Sequence, residues 1–349
     1  MVTVRSGGRI GVDASPSYGI PPGRVQERGG ESRSGATEGE RAVDEAVRQH
    51  DVVVGADGSV GARAALAWGL REARLRDRRV RLVTVVLEAR PPQVHDAVTG
   101  RFTGAEFEDV VRSRLAAEAA AVAGAEGCKN APVHPDIRYG QPAQQLVDAA
   151  GPDGLLVVGS RGRGPLRGAL LGSVSQQCAQ YARAPVVVVR DDESTHGAVL
   201  WQGASSRVVV GVDGSPGSAA ALRFATAEAR LRRGQLHVVH AWIDTLSGYG
   251  GPSWAVPGTR LRERAEATLR QSMQDTWQGN GPGVQVRAET VEGADWDILT
   301  ERAGAADLLV VGSRGRTGWS SLLLGSVSLR CITFAPCPVA VVRPTRADG

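Results

Sequence analysis

Apolar residues recur along this chain in two alternating patterns. Short runs apolar at every position, such as Val52–Val54, Leu155–Val158, Val186–Val189, Val208–Val210 and Leu308–Val311, are separated by longer stretches with apolar positions at helical spacing. A strand covered on both faces needs an unbroken apolar run, whereas a half-exposed strand alternates. The alternation of such runs with helical stretches predicts an α/β fold, a parallel sheet with helices on both faces.

The order of elements then starts again. DVVVGADGS (Asp51–Ser59) is answered by RVVVGVDGS (Arg207–Ser215), and REARLRDRRVRLVTVV from Arg71 by AEARLRRGQLHVVHAW from Ala227. Amphipathic stretches follow at 104–124 and 258–277, then the short runs VHPDIRYG and VQVRAETVEG, then the helical segments PAQQLVDAA and ADWDILTERA. Each copy closes on an apolar run, APVVVVR or CPVAVVR. The pattern predicts two tandem Rossmann-like domains, each a five-stranded parallel sheet flanked by helices, at 49–190 and 206–345. Residues 191–205 read as a linker. Residues 1–48, rich in Gly, Ser, Arg, Pro and Glu, read as a disordered tail. One fragment there, GVDASP from Gly11, imitates the Asp-containing motif but precedes no helical pattern. The valine-rich last runs, Val186–Val189 and Val339–Val342, are candidate edges through which the copies pack as an intrachain pseudo-dimer. Pairing of whole chains into a homodimer stays open.

Composition narrows the function. The 349 residues carry a formal net charge of only +4, with 42% hydrophobic and 22% charged positions, which gives no bulk argument for nucleic acid. No apolar run approaches the length of a membrane span or a signal peptide, so the expected place is the cytoplasm. Cys128, Cys178, Cys331 and Cys337 lack paired spacing and read as buried small hydrophobes. The histidines form no metal-ligand spacing.

The candidate chemistry lies in LLVVGSRGRGPLRGALLGSVS from Leu155 and LLVVGSRGRTGWSSLLLGSVS from Leu308. Each has a glycine pair (Gly159 and Gly162; Gly312 and Gly315), nine further residues, and a Gly-Ser that opens a helical pattern (Gly172-Ser173; Gly325-Ser326). Glycines at a strand exit allow positive φ and close backbone approach to an anion. A helix start offers unpaired amides at the positive end of its dipole. The dipole alone is worth roughly 0.3–1 kcal/mol, against the ~8 kcal/mol of micromolar binding. Backbone donors, the hydroxyls of Ser173, Ser175, Ser326 and Ser328, and a base pocket are expected to supply the rest. Arg161 and Arg314 either reach phosphate oxygens or stand in solvent. Asp57 and Asp213 either cap the next helix with Ser59 and Ser215 or, the preferred reading, hold Mg²⁺ or a ribose hydroxyl. There is no Gly-Lys pair for a Walker loop, and Gly162-Arg-Gly164 meets its next glycine one residue late, at Gly168.

These motifs, twice in the same order and spacing, resemble the universal stress protein family in its tandem, actinobacterial form. The resemblance implies adenine nucleotide alpha hydrolase-like domains that bind ATP with Mg²⁺. It places Asp57 and Asp213 at the sugar and metal. Gly159, Gly162, Gly172, Ser173, Val174 and Ser175 would wrap one triphosphate, and Gly312, Gly315, Gly325, Ser326, Val327 and Ser328 the other. It sets the adenine beside the end of the second strand. With the first copy read as two residues longer there, that end is Leu87 and Ala241. The implied function is a nucleotide-dependent stress regulator with at most slow ATP hydrolysis. The alternatives are a Mg²⁺-dependent ATPase or nucleotide transferase, and a structural dimer module without ligand.

Overall fold

The computed structural model describes residues 2–5, 9–12, 51–87, 95–96, 100–101, 104–128, 131–162, 171–190, 206–243, 258–278, 282–315 and 324–344. Two strands, β1 (Val2–Arg5) and β2 (Arg9–Val12), come first. The first half runs β3 (Val52–Gly55), α1 (Val60–Arg76), β4 (Val80–Val86), β5 (His95–Asp96), β6 (Gly100–Arg101), α2 (Gly104–Ala125), β7 (Val133–Tyr139), α3 (Pro142–Ala150), β8 (Leu155–Gly159), α4 (Ser173–Tyr181) and β9 (Val186–Val189). The second half runs β10 (Arg207–Gly211), α5 (Pro216–Arg232), β11 (Gln235–Trp242), α6 (Gly258–Trp277), β12 (Gln285–Glu292), α7 (Asp295–Arg302), β13 (Leu308–Gly312), α8 (Ser326–Phe334) and β14 (Val339–Val342).

Twelve strands form one sheet, in the order β1-β2-β12-β11-β10-β13-β14-β9-β8-β3-β4-β7. Within each half the five main strands are parallel, with the first strand central, the second and third to one side and the fourth and fifth to the other. The unbroken apolar runs are buried on both faces. Val52 and Val54 point into a core with α1 and α2, while Val53 points into a second core with α3 and α4. The second half repeats this with Val208, Val210 and Val209. The halves join where β14 meets β9 in antiparallel register, Val339 opposite Val188, Ala340 opposite Val187 and Val341 opposite Val186.

Local chemistry sets the ends of α1 and α5. The Ser59 hydroxyl accepts the Ala62 amide at 3.1 Å, and the Ser215 hydroxyl accepts the Ser218 amide at 3.1 Å. Both are serine N-caps. Asp77 and Arg233 then take left-handed φ of 53° and 52° and turn the chain into β4 and β11.

The segment 1–48, expected to lack elements, contributes β1 and β2. β2 lies antiparallel on β12, with Ile10 opposite Ala288. The unpaired backbone groups of an edge strand accept a short extended fragment that carries no periodicity of its own. The rest of that segment and the linker at 191–205 lie outside the described residues. All four cysteines are free and buried. Burial pushes the thiols of Cys178, Cys331 and Cys337 up to about 12. Among the described residues no helix is long and apolar enough to cross a membrane.

Candidate functional site

In an open parallel sheet the crevice lies beyond the strand ends where the winding reverses. Here that point falls between β3 and β8, and again between β10 and β13. Asp57 follows β3, Gly159 ends β8, and the two loops touch. A Cβ on Gly159 would lie 2.5 Å from the Gly61 carbonyl carbon, and one on Gly61 would lie 2.6 Å from the Arg161 carbonyl oxygen. The second half repeats the contact, with Gly312 at 2.7 Å from the Gly217 carbonyl carbon and Gly217 at 2.6 Å from the Arg314 oxygen. Backbone presses on backbone at both mouths, so any side chain there would part the first turn of α1 or α5 from the sheet.

Asp57 is held between these loops. Its Oδ1 accepts the Ser59 amide at 2.9 Å, and its Oδ2 lies 2.6 Å from the position of a Cβ on Gly162. Asp213 Oδ1 accepts the Ser215 amide at 3.0 Å and hydroxyl at 2.6 Å, and its Oδ2 lies 2.7 Å from a Cβ on Gly315. One carboxylate oxygen therefore braces the helix cap while the other faces the glycine loop. The turn itself needs the left-handed Gly58 and Gly214, with φ of 75° and 82°.

Positive φ at the strand-exit pairs Gly159 and Gly162, Gly312 and Gly315, which the sequence allows, does not occur. Gly159, Gly162, Gly172, Gly312, Gly315 and Gly325 are absent from the left-handed set. Their role is space, set by Gly61, Asp57, Gly217, Asp213 and the loop backbone. Gly172 donates its amide to the Ser160 carbonyl at 2.7 Å and Gly325 to Ser313 at 2.8 Å. This closure pins the starts of α4 and α8 beside the ends of β8 and β13. Neither helix has a side-chain cap, so among the described residues the first-turn amides have no capping partner of their own.

The serines divide by position. Ser173 and Ser326 are exposed at the helix starts. Ser175 and Ser328 are buried, and their hydroxyls donate inward, Ser175 to Ser160 and Gly172 carbonyls at 3.2 and 3.0 Å, Ser328 to Gly312 at 2.6 Å. These two hydroxyls tie the loop and are not aimed at a ligand. Val174 and Val327 pack half-buried on the α3–α4 and α7–α8 core. Arg161 is exposed and Arg314 half-buried, while residues 163–170 and 316–323 lie outside the described residues.

Leu87 and Ala241 are not equivalent. Gly55 pairs with Val83 and Gly211 with Val239, so the copies have equal length here and Ala241 matches Val85. Leu87 matches Ile243; both are exposed, whereas Ala241 packs against the core. Sequence reasoning missed the side chains that steady the strand exits. Thr84 Oγ1 donates to the Ala56 carbonyl at 2.8 Å, and at the matching place His240 Nδ1 donates to the Val212 carbonyl at 2.7 Å. A hydroxyl and an imidazole doing one job leave no common signature. Gly61 and Gly217 had a signal, the shared Ser-x-Gly after the Asp motif.

The second mouth differs in charge. Desolvation, then the nearby Asp213 charge, lift the Asp295 carboxyl above its usual range, with His240 opposing. Desolvation, then Arg314, lower the Arg343 guanidinium, whose Nε and Nη2 are buried without a hydrogen-bond partner among the described residues. Among the described residues no group of three or more metal-binding side chains occurs.

The profile of the Universal stress protein family matches residues 49–190 and 205–343. A universal stress protein of Mycolicibacterium smegmatis is 37% identical over 304 residues, covering 85% of this chain and 98% of its own length. One of Mycobacterium tuberculosis is 34% identical with the same coverage. The crystal structure of a universal stress protein from Archaeoglobus fulgidus superimposes with a TM-score of 0.57 at 22% identity, covering 85% of this chain and 97% of that one. That likeness establishes the fold.

Proposed function

The chain belongs to the universal stress protein family, and from that premise we propose that it is a nucleotide-dependent regulator that binds ATP with Mg²⁺ at each of its two mouths. One observation carries this reading. The uncapped starts of α4 and α8 are pinned by the Gly172–Ser160 and Gly325–Ser313 bonds at the winding reversal, next to a fixed aspartate. A preorganised row of amides beside a strand exit suits phosphate oxygens.

The residues fit the ligand in kind. Amides of Ser173, Val174 and Ser175, and of Ser326, Val327 and Ser328, are the phosphate donors, with the exposed Ser173 and Ser326 hydroxyls beside them. Glycine at 159, 162 and 172 lets the loops and the start of α4 close together, because a Cβ at these positions would meet Gly61, Asp57 and Ser160. Asp57 and Asp213 face the ribose or metal. Bound Mg²⁺ would screen the phosphate charge and take most of its oxygens from phosphate and water, as this ion commonly does. Arg343, with two buried unpartnered nitrogens beside Arg314, favours an anion at the second mouth. Binding, rather than turnover, is the activity, and any hydrolysis is slow.

Denaturing the purified chain and separating the extract by chromatography should release adenine nucleotide, near one per mouth. Asp57→Ala with Asp213→Ala should lower that yield. An extract without nucleotide, together with an unchanged melting temperature in excess MgATP, refutes the reading; ligand at a hundred times its Kd would add about 2.7 kcal/mol of stability. Steady-state ATP turnover lost in the double aspartate variant would instead establish an ATPase.

A further inference from the structure

The repeated Glu-Ala-Arg-Leu-Arg stretch, at 72–76 and 228–232, plays no part in either mouth. In sequence it is an ordinary solvated helix face, with an i,i+4 Glu–Arg pair. In the fold it is dry. Glu72, Arg76, Glu228 and Arg232 have side chains 0–2% exposed. Arg76 pairs with Glu72 on its own helix at 2.7 Å and with Glu228 across the halves. Arg232 pairs with Glu228 on its own helix and with Glu72 across the halves, the latter at 2.5 Å. Each carboxylate thus meets both arginines.

Such a closed buried network adds little stability over apolar residues of the same volume, yet a mismatch within it is severe. Its worth is selection. The neighbouring strand pair selects poorly, because β9 is Val-Val-Val-Val and β14 is Val-Ala-Val-Val, all buried. A two-residue slip keeps apolar against apolar, whereas the accompanying shift of ~7 Å would carry each arginine away from its partner glutamate. A continuous apolar strand sets register weakly; the charges set it sharply.

We propose that these four residues are the partner-recognition code of the interface. A half accepts as its mate only a half presenting glutamate and arginine at the matching two positions of that helix. Because both halves carry the same order, each is also complementary to itself. The partner it would take in place of its own second half is the same half of a second copy of this chain.

Exchanging the charges within one helix tests this in the full-length protein. Glu72→Arg with Arg76→Glu keeps the pair within the helix but sets like charges against α5. Light scattering should then give about twice the parent's mass, since each half finds its match only in another copy. Adding Glu228→Arg and Arg232→Glu should restore the parent's mass and melting temperature. If circular dichroism shows the two-residue variant unfolded, recovery in the four-residue variant supports the same conclusion. The proposal is overturned if the two-residue variant keeps the parent's mass and melting temperature, or if the four-residue variant does not recover them.

Discussion

Replacing Gly162 with alanine should weaken nucleotide binding at the first mouth while leaving the fold nearly intact. The new Cβ would sit 2.6 Å from Asp57 Oδ2, where ordinary contact begins near 3.4 Å, so the carboxylate must retreat by about 0.8 Å. It is the far end of a flexible side chain and can rotate, but rotation gives up the 2.9 Å bond from the Ser59 amide. That bond is worth about 0.5–1.5 kcal/mol, or roughly 1–6 °C in melting temperature at this size. The functional loss is larger if the displaced oxygen holds the ribose or the metal. A hydrogen bond to a charged group contributes about 1.5–3 kcal/mol, hence a fall in affinity of about ten- to a hundredfold. Isothermal titration with MgATP on a Gly315→Ala background, which weakens the second mouth by the same clash, would resolve the first as the tighter site. Scanning calorimetry supplies the stability. Unchanged affinity in Gly162→Ala would refute the assignment of Asp57 to the ligand.

Gly159→Ala should behave in the opposite sense. Its methyl would lie 2.5 Å from backbone atoms of Gly61 that cannot rotate away, so a loss of about 2–3 kcal/mol in urea unfolding is expected. Ser175→Ala should cost about 1 kcal/mol by freeing the loop closure, visible as faster amide exchange at Gly172. Glu289 offers a pH test. The His237 hydrogen bond, then the Arg302 bond, hold its carboxyl near about 2 against the opposing burial, below its ordinary 4.5. The depressed value means its contribution is present above pH 4.5 and lost as pH falls toward 2. Of the ~3 kcal/mol such a shift is worth, screening at the strand leaves about 1–2 kcal/mol. Glu289→Gln should be that much less stable at pH 7 and equal to the parent near pH 2. Finally, iodoacetamide at pH 8 should leave Cys178, Cys331 and Cys337 unmodified in the native protein and label them in urea, because burial holds their thiols near about 12.

The strands were legible because a parallel strand covered on both sides must be apolar at each position, as Val186–Val189 is. Capping at Ser59 and Ser215 was the less favoured of two readings of the Asp-Gly-Ser turn, and the Ala62 and Ser218 amides show that it occurs. The glycine loops stood out by repetition, yet the reason for glycine did not. Positive φ was the natural local guess, while the cause is the packing of Gly159 against Gly61 and of Gly162 against Asp57, about a hundred positions apart in sequence. Ser175 resembled a ligand hydroxyl until the closing loop turned it inward. Leu87 and Ala241 were set against each other by a misjudged spacing that the β3–β4 and β10–β11 registers correct.

The amino-acid sequence alone determined the α/β class, the doubling, the element order and the two strand-exit motifs, because each depends on residues close together in the chain. Tertiary structure alone decided what the glycines make room for, that Thr84 and His240 serve one purpose, and that four helix charges become a dry network between the halves. Such contacts join residues far apart along the chain, and a glutamate four residues from an arginine reads the same in solvent or in a core until the opposite helix arrives.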